Sequence, residues 1–316
     1  MTSFAGRVLA AYVIVCIVWG STYLAIRIGV RHMPPGLFGG IRFLTAGLLL
    51  LGLARGLGLR LPTRGRDWRT AAIVGVLLLG VGNGVVIWAE QFVESGTVAI
   101  LIVTGALWMA LFDAVVPGGA VRPTWRQFLA LLLGFGGVVL LIGGNVESLG
   151  SAGWFGPVAV IGSAAAWAIG SVYSNRNPVR TSHYVHSALQ MLFGGGALAV
   201  TGLLFGELAE LRLSLPGFGA IAYLIVFGSI VAYTSYVYLL RHAQPAFIGT
   251  HVYVNTVVAV LLGWIILSEH VTARTFVAMA VILGSVVWVR QAGRAVARSG
   301  DHGMGRQDGV NGMTAG

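Results

Sequence analysis

Long apolar segments separated by short polar breaks follow one another along almost the whole chain. The clearest pair runs from Gly228 to Glu269, where two apolar segments flank a polar turn at residues 241–245. Each segment approaches the roughly 20 apolar residues that a helix needs to cross a bilayer. The pattern predicts an all-α membrane protein with ten transmembrane helices, spans 1 to 10. They cover approximately residues 8–26, 36–54, 70–91, 95–116, 126–144, 154–174, 183–205, 218–240, 246–268 and 273–290.

The composition agrees with a location in the bilayer. Apolar residues make up 57% of the chain and charged residues only 9%, against about 25% in a soluble domain. Mean hydropathy is +0.86. The 47 glycines suit helices that approach one another closely through small residues.

Several kinds of chemistry are excluded by the residues that the chain lacks. All 20 basic residues are arginine, so a Walker A phosphate loop and a Schiff-base lysine are ruled out. Cys16 is the only cysteine, which excludes a disulfide within the chain and a cysteine-based metal cluster. We therefore expect neither a metal nor a cofactor. The first apolar run is too long for a cleavable signal peptide.

Arginine placement predicts the orientation. With ten spans both termini lie on one side, and that side carries 15 arginines against 4 on the other. By the positive-inside rule, both termini are cytoplasmic in a multi-pass protein of the inner (plasma) membrane. The net charge of +10 is thus assigned to topology, and no nucleic acid partner is expected.

The chain divides into two halves that echo each other at a spacing near 148 residues. Trp19 with its following Gly-Ser pair corresponds to Trp167 in the second half. We predict a first five-helix repeat at 1–145, a second at 153–290, and a disordered cytoplasmic tail at 291–316. Because five is odd, the second repeat is inverted relative to the first. Secondary transporters commonly have this plan, with a central cavity between the repeats.

Five motifs, in this order and spacing, resemble the drug/metabolite transporter superfamily, specifically its ten-helix EamA-type exporters. They are WGSTYLAIRIG at 19–29, IRFLTAGLLL at 41–50, WAIGSVYS at 167–174, VAYTSYVYLL at 231–240 and YVNTVVAVLLGWIILSE at 253–269. The resemblance implies that spans 1–4 and 6–9 surround a central cavity and that spans 5 and 10 lie outside. It also implies export of small metabolites, often amino acids or related compounds.

The sequence departs from the family pattern at two helix positions. Ala106 in span 4 and Thr256 in span 9 stand where the family usually has proline. Proline loosens a helix by removing one backbone hydrogen bond, so the bending of these spans is left open. Glu269 keeps the acidic residue that usually follows span 9, while the first half lacks its counterpart.

Polar and aromatic side chains on most spans predict a lining suited to a small amphipathic solute. Lipid would not tolerate such groups at this depth, so they are expected to face protein or water. The candidate substrate-binding residues are Trp19, Tyr23, Arg42, Asn83, Trp108, Trp167, Tyr233, His251 and Asn255.

Each functional assignment has a structural alternative. Arg42 either binds a substrate carboxylate or pairs with a backbone carbonyl. Glu90 is a candidate carrier of a coupling proton, although its place near the end of span 3 favours a solvated interfacial carboxylate. His251 is the second proton-coupling candidate or a hydrogen-bonded lining residue. Trp19 and Trp167 either line a cavity or pack in the core.

These features predict a secondary transporter that exports small amphipathic metabolites by alternating access. A facilitator, uniporter or channel-like pore is the alternative that the sequence leaves open. A membrane-embedded enzyme is disfavoured, because the chain has no GxSG, HExxH or paired intramembrane aspartates. The expected partners are a small-molecule substrate and the lipid bilayer, and the chain is a monomer or a homodimer.

Overall fold

The computed structural model describes five stretches of the chain and one isolated residue. They are 4–115, 125–142, 153–212, 214–242, 251–288 and residue 291. Within them every regular element is a helix. Apart from residue 291, the predicted disordered tail lies outside the described residues, as does most of the polar break between the predicted halves.

The helices of the first half correspond to predicted spans 1 to 5. Its elements are α1 (Phe4–Val30), α2 (Pro35–Gly56), α3 (Gly65–Gly75), the π-helix π1 (Val76–Asn83), α4 (Gly84–Ala89), α5 (Ser95–Ile102), α6 (Gly105–Val115) and α7 (Trp125–Ile142). Pro35 occupies the first turn of α2, where its fixed φ suits a helix start and its missing N–H is not needed.

The helices of the second half correspond to predicted spans 6 to 10. Its elements are α8 (Phe155–Arg176), α9 (His183–Leu204), a 3-10 turn (Glu207–Ala209), α10 (Leu215–Tyr223), the π-helix π2 (Leu224–Val231), α11 (Ala232–His242), α12 (His251–Leu267) and α13 (Ala273–Trp288). Ser214 caps α10, because its hydroxyl oxygen accepts the Gly217 amide N–H at 3.2 Å.

Six of these helical stretches are long and apolar enough to cross a membrane. They are Gly6–Val30, Pro35–Gly56, Gly65–Ala89, Phe155–Arg176, His183–Leu204 and Leu215–Tyr236, and they confirm spans 1, 2, 3, 6, 7 and 8 as helices of that kind. Spans 4, 5, 9 and 10 contain shorter apolar helices in the described residues. That all ten cross the bilayer stays a prediction.

The two π-helices occupy matching places in the two halves. π1 begins at Val76 and π2 at Leu224, which are 148 residues apart, and each is eight residues long. π-Helical segments are rare and occur frequently at functional sites. Their placement therefore agrees with the spacing between the predicted repeats.

Helices of one half pack mainly against helices of the other. α2 packs along α9, α1 packs against π2 and α12, and α8 packs against π1 and α5. Fully buried Phe38, Ile87, Leu101 and Leu224 belong to one apolar core shared by spans 2, 3, 4 and 8. Corresponding helices of the two halves therefore pack against corresponding helices of the other half, which is compatible with the predicted inverted repeat.

Span 4 is interrupted although it lacks the family proline. α5 ends at Ile102 and α6 begins at Gly105, and the Thr104 hydroxyl in between donates to the carbonyl of Leu101 at 2.6 Å. Span 9 behaves differently, because α12 continues through Thr256, whose hydroxyl donates to the carbonyl of Val252 at 2.9 Å. The two proline replacements therefore have different structural outcomes.

Candidate functional site

Three aromatic rings from three different spans meet beside π2. The ring centroid of Trp19 in α1 lies 5.1 Å from that of Tyr236 in α11 and 5.4 Å from that of His251 in α12. Tyr236 and His251 are 5.8 Å apart. The Trp19 indole N–H donates to the carbonyl oxygen of Gly228 in π2 at 3.0 Å. This aromatic trio offers apolar faces together with polar edges.

Asn255, one turn along α12 from His251, ties α12 to α1. With its amide oriented to satisfy both neighbours, its NH₂ group donates to the carbonyls of Cys16 at 2.9 Å and His251 at 3.0 Å. Asn255 is buried. Its donors are therefore used within the bundle, and its side chain fixes the position of His251 relative to α1.

Arg42 is a buried cation close to Gly228 of π2, the residue whose carbonyl accepts the Trp19 indole N–H. It is 5% exposed, and a Cβ added at Gly228 would lie 3.5 Å from Arg42 Nη2. Its guanidinium carbon is 4.6 Å from the ring centroid of Phe43. Among the described residues its Nε and Nη1 have no hydrogen-bond partner. Burying a charge this way costs several kcal/mol unless a partner compensates it, so Arg42 is suited to bind an anionic group.

Glu90 is fully buried, so its interpretation as a solvated interfacial carboxylate is wrong. It lies at the end of α4 with 0% exposure, and neither carboxylate oxygen has a hydrogen-bond partner within the described residues. Its backbone carbonyl accepts a hydrogen bond from Arg27 Nη1. Its carboxylate interacts electrostatically with Arg27, Arg42 and Glu269. Tyr23 is also close enough to interact with this charge. Glu90 thus belongs to the same buried charge group as Arg42.

Two further candidates lie along spans 3 and 8. The Tyr233 hydroxyl is hydrogen-bonded to the hydroxyl of Ser187 in α9. Asn83 ends π1, and its amide NH₂ donates to the carbonyl of Leu78 at 3.4 Å. Tyr233 also interacts electrostatically with Tyr236 of the aromatic trio.

Trp167 and Trp108 lie elsewhere. Trp167 in α8 is 40% exposed and packs over Gly82 of π1, because a Cβ added there would lie 3.2 Å from its ring. Trp108 packs between α6 and α7, with its ring centroid 5.7 Å from Phe112 and 5.5 Å from Phe135. The structure therefore does not bring all of the candidate substrate-binding residues together at one point.

An apolar surface groove runs between α7 and α13, the helices of spans 5 and 10. It is lined by Leu129, Leu132, Leu133, Gly136, Gly137, Leu140, Val281 and Trp288. None of these is a predicted site residue. The groove is lined almost entirely by apolar groups and carries no charged side chain among the residues that line it, so it does not compete with the buried site.

The comparisons with known proteins agree with this architecture. The sequence model of the EamA-like transporter family matches the chain twice, over residues 6–143 and 154–291. YedA of Escherichia coli (strain K12), named as an inner membrane transporter, is 37% identical over 286 residues, covering 90% of this chain and 89% of YedA. YoaV of Bacillus subtilis (strain 168), named as a transporter, is 22% identical over 284 residues, covering 89% of this chain and 94% of YoaV.

A solved crystal structure shares the fold. It superposes with a TM-score of 0.60 at 21% identity, covering 91% of this chain and 98% of the other. Apolar helices packed around buried charged residues and partly buried aromatic rings are those of a multi-pass membrane protein, and the matched family and relatives are named as transporters. The chain belongs to the EamA-like transporter family, which confirms the resemblance found in its motifs.

Proposed function

We propose that this protein is a secondary transporter that exports small amphipathic metabolites, amino acids or related compounds, by alternating access. It works in the inner membrane, the location named for its relative YedA, with both termini in the cytoplasm. The two inverted repeats, 1–145 and 153–290, rock against each other around the buried site. The double match of the family supports this division.

The buried guanidinium of Arg42 is the observation that carries the proposal. Two of its nitrogens have no partner among the described residues. A guanidinium presents N–H groups in a fixed fork that matches a carboxylate. We assign Arg42 to the substrate carboxylate and the aromatic trio to the apolar part of the solute. Asn255 holds His251 in place for that contact.

The remaining candidates have supporting roles in this proposal. Tyr23 lies close enough to Glu90 to interact with its charge. Glu90 carries the coupling proton when Arg42 exchanges Glu90 for the substrate carboxylate. His251 is the second proton-coupling candidate, next to Trp19. Spans 3 and 8, which contain the two π-helices, bend as the repeats move. Asn83 and Tyr233 belong to these spans, and Trp167 packs on π1. Trp108 stays with α7 as a packing residue.

A thermal-shift series tests the binding step. A ligand that binds the folded state raises the unfolding temperature with its concentration. We expect amino acids with a free carboxylate to stabilise the purified protein and their decarboxylated amines to have no effect. Arg42→Gln is expected to abolish the shift. Arg55→Gln, an exposed arginine near the end of the same helix, is the matched control and keeps the shift. Loss of the shift in both variants, or in neither, contradicts the assignment.

A further inference from the structure

Two carboxylates of the second half are bound to helix N-termini of the first half at the same end of the bundle. Glu269 Oε1 accepts hydrogen bonds from the Ser95 amide and hydroxyl, both at 2.8 Å, and its Oε2 accepts the Gly96 amide at 3.0 Å. Glu207 accepts the amides of Gly36 at 3.0 Å and Leu37 at 2.7 Å. Ser95 begins α5 and Pro35 begins α2.

This arrangement is electrostatically favourable, because the first amides of a helix have no partner inside the helix. A carboxylate satisfies those donors and also meets the positive end of the helix dipole. Charge-assisted bonds of this kind are stronger than neutral ones. Each carboxylate therefore holds a loop of one half firmly onto a helix of the other.

Glycines make room for both carboxylates. A Cβ added at Gly202 would lie 2.6 Å from Glu207 Oε2, and one at Gly36 would lie 2.9 Å from it. A Cβ at Gly263 would overlap Glu269 Oε2. Any larger residue at these glycines would push the carboxylate off its helix. Both contacts are therefore built from a carboxylate, a helix N-terminus and a glycine beside the carboxylate.

A third contact reinforces the Glu269 contact. Glu94, directly before Ser95, accepts the His270 amide at 3.0 Å and faces its ring Nδ1 at 3.2 Å. Arg27 interacts electrostatically with Glu269, Glu94 and the buried Glu90. This end of the bundle is thus linked by charge to the candidate site.

At the opposite end, the described contacts between halves are different in kind. Arg66 donates to the Asn177 amide oxygen at 3.1 Å on the surface, and Thr181 donates to Asp67 at 3.2 Å. In the described residues of that end, no carboxylate from one half accepts the N-terminal amides of a helix from the other.

We propose that Glu207 and Glu269 are two latches that keep the α2 and α5 end of the bundle closed, and that both release when this end opens. In the proposed topology this is the outer end. The idea rests on the proposed alternating access, because only a protein that opens at this end needs a releasable closure. Asp at either position keeps the charge but is one methylene too short to reach the helix amides.

Distances between spin labels test the latches directly. On a Cys16→Ala background, spin labels are attached to cysteines introduced at exposed positions. Every sample carries His32→Cys in the first half, together with either Leu208→Cys or Ala273→Cys in the second. Pulsed electron spin resonance in nanodiscs then gives the distance distribution across this end. We expect Glu207→Asp to lengthen the distance to position 208, and Glu269→Asp the distance to position 273. Each change is expected to raise the open-to-closed ratio about tenfold, which corresponds to about 1.4 kcal/mol.

Glu210→Asp is the matched control, because Glu210 is an exposed carboxylate in the same loop as Glu207. If an Asp variant does not purify as a single species, Gly202→Ala and Gly263→Ala displace the same carboxylates without altering them. Gly219→Ala, with nothing within 4 Å of its added Cβ, is their control. Distributions in which the latch variants superimpose on wild type overturn the proposal.

This readout needs no solute, so its failure is separate from a failure of the proposed function. Longer distances in a protein that transports nothing would support the latches and contradict the transport assignment. Active transport with unchanged distances would contradict the latches alone.

Discussion

The indole N–H of Trp19 donates to the carbonyl oxygen of Gly228, a residue 209 positions later in the chain, at 3.0 Å. Trp167, which is 148 residues after Trp19, packs over Gly82. Gly228 belongs to π2 and Gly82 to π1. Each half therefore places a tryptophan of its first span on the π-helix of the other half, and this reciprocal contact joins the two halves where their helices are least regular.

Removing the Trp19 donor tests this contact. Trp19→Phe keeps an aromatic ring but leaves the buried Gly228 carbonyl without its side-chain donor. We expect a loss of about 1 kcal/mol in stability, the usual net contribution of one hydrogen bond. Thermal unfolding in detergent measures it. Trp167→Phe is the comparison, because its ring still covers Gly82. An equal loss in both variants would contradict the role of the indole N–H.

Close packing of α2 on α9 predicts opposite effects for two glycines of α2. A Cβ at Gly40 would lie 2.9 Å from the backbone of Ala199, whereas one at Gly52 meets nothing within 4 Å. Gly40→Ala should destabilise the protein by about 1–3 kcal/mol through overpacking. Gly52→Ala should be neutral or stabilising, because alanine favours a helix by up to about 1 kcal/mol. Gly40→Ala should therefore lower the unfolding temperature, whereas Gly52→Ala should leave it unchanged or raise it, and a fall of similar size in both variants would refute the packing.

Neutralising Glu90 separates stability from coupling. Its carboxylate is buried without a hydrogen-bond partner among the described residues, so Glu90→Gln removes a costly charge. It also removes the attraction to the cations Arg27 and Arg42. Because these two effects oppose each other, we expect only a small change in the unfolding temperature. Transport driven by a pH gradient should fall at least about tenfold, the loss that a missing proton carrier implies. Glu210→Gln on the surface is the control. A pH-gradient response that survives in Glu90→Gln would remove Glu90 from the coupling role.

The arginine asymmetry predicts the side on which the C-terminus lies. A fluorescent protein that folds only in the cytoplasm should be bright when fused after residue 316, and an alkaline phosphatase fusion there should be inactive. Fusions in the turn between α1 and α2 should give the opposite result. The reverse pattern would place the 15-arginine side outside and contradict the predicted orientation.

Helical spacing predicts which residues share a face of one helix, but it does not show which helices face each other. Trp19 and His251 were predicted as one lining, and the structure puts their rings 5.4 Å apart. Trp108 was expected there too, yet its partners are Phe112 and Phe135. Nothing in the local pattern of span 4 distinguishes a helix face packed on α7 from one turned to the centre.

Long-range contacts explain what the sequence did not show. Glu90 lies near the end of its span, which indicated contact with water, but neighbouring helices cover it completely. The sequence shows Glu269 only as a retained acidic residue, whereas its partners, Ser95 and Gly96, are more than 170 residues away in sequence. Glycines spaced around each carboxylate were the one available signal, and among 47 glycines that signal is weak.

Counterflow in proteoliposomes is the most direct test of a carrier that binds its solute at Arg42. Vesicles loaded with one unlabelled amino acid should accumulate the same labelled amino acid from outside without any ion gradient, since an alternating carrier exchanges the two. Wild type and Arg55→Gln should show this transient accumulation, and Arg42→Gln should lose it by at least about tenfold, the loss expected when a buried charged contact is removed. Accumulation that is unchanged in Arg42→Gln, or absent from wild type across a broad panel of small solutes, would contradict the account.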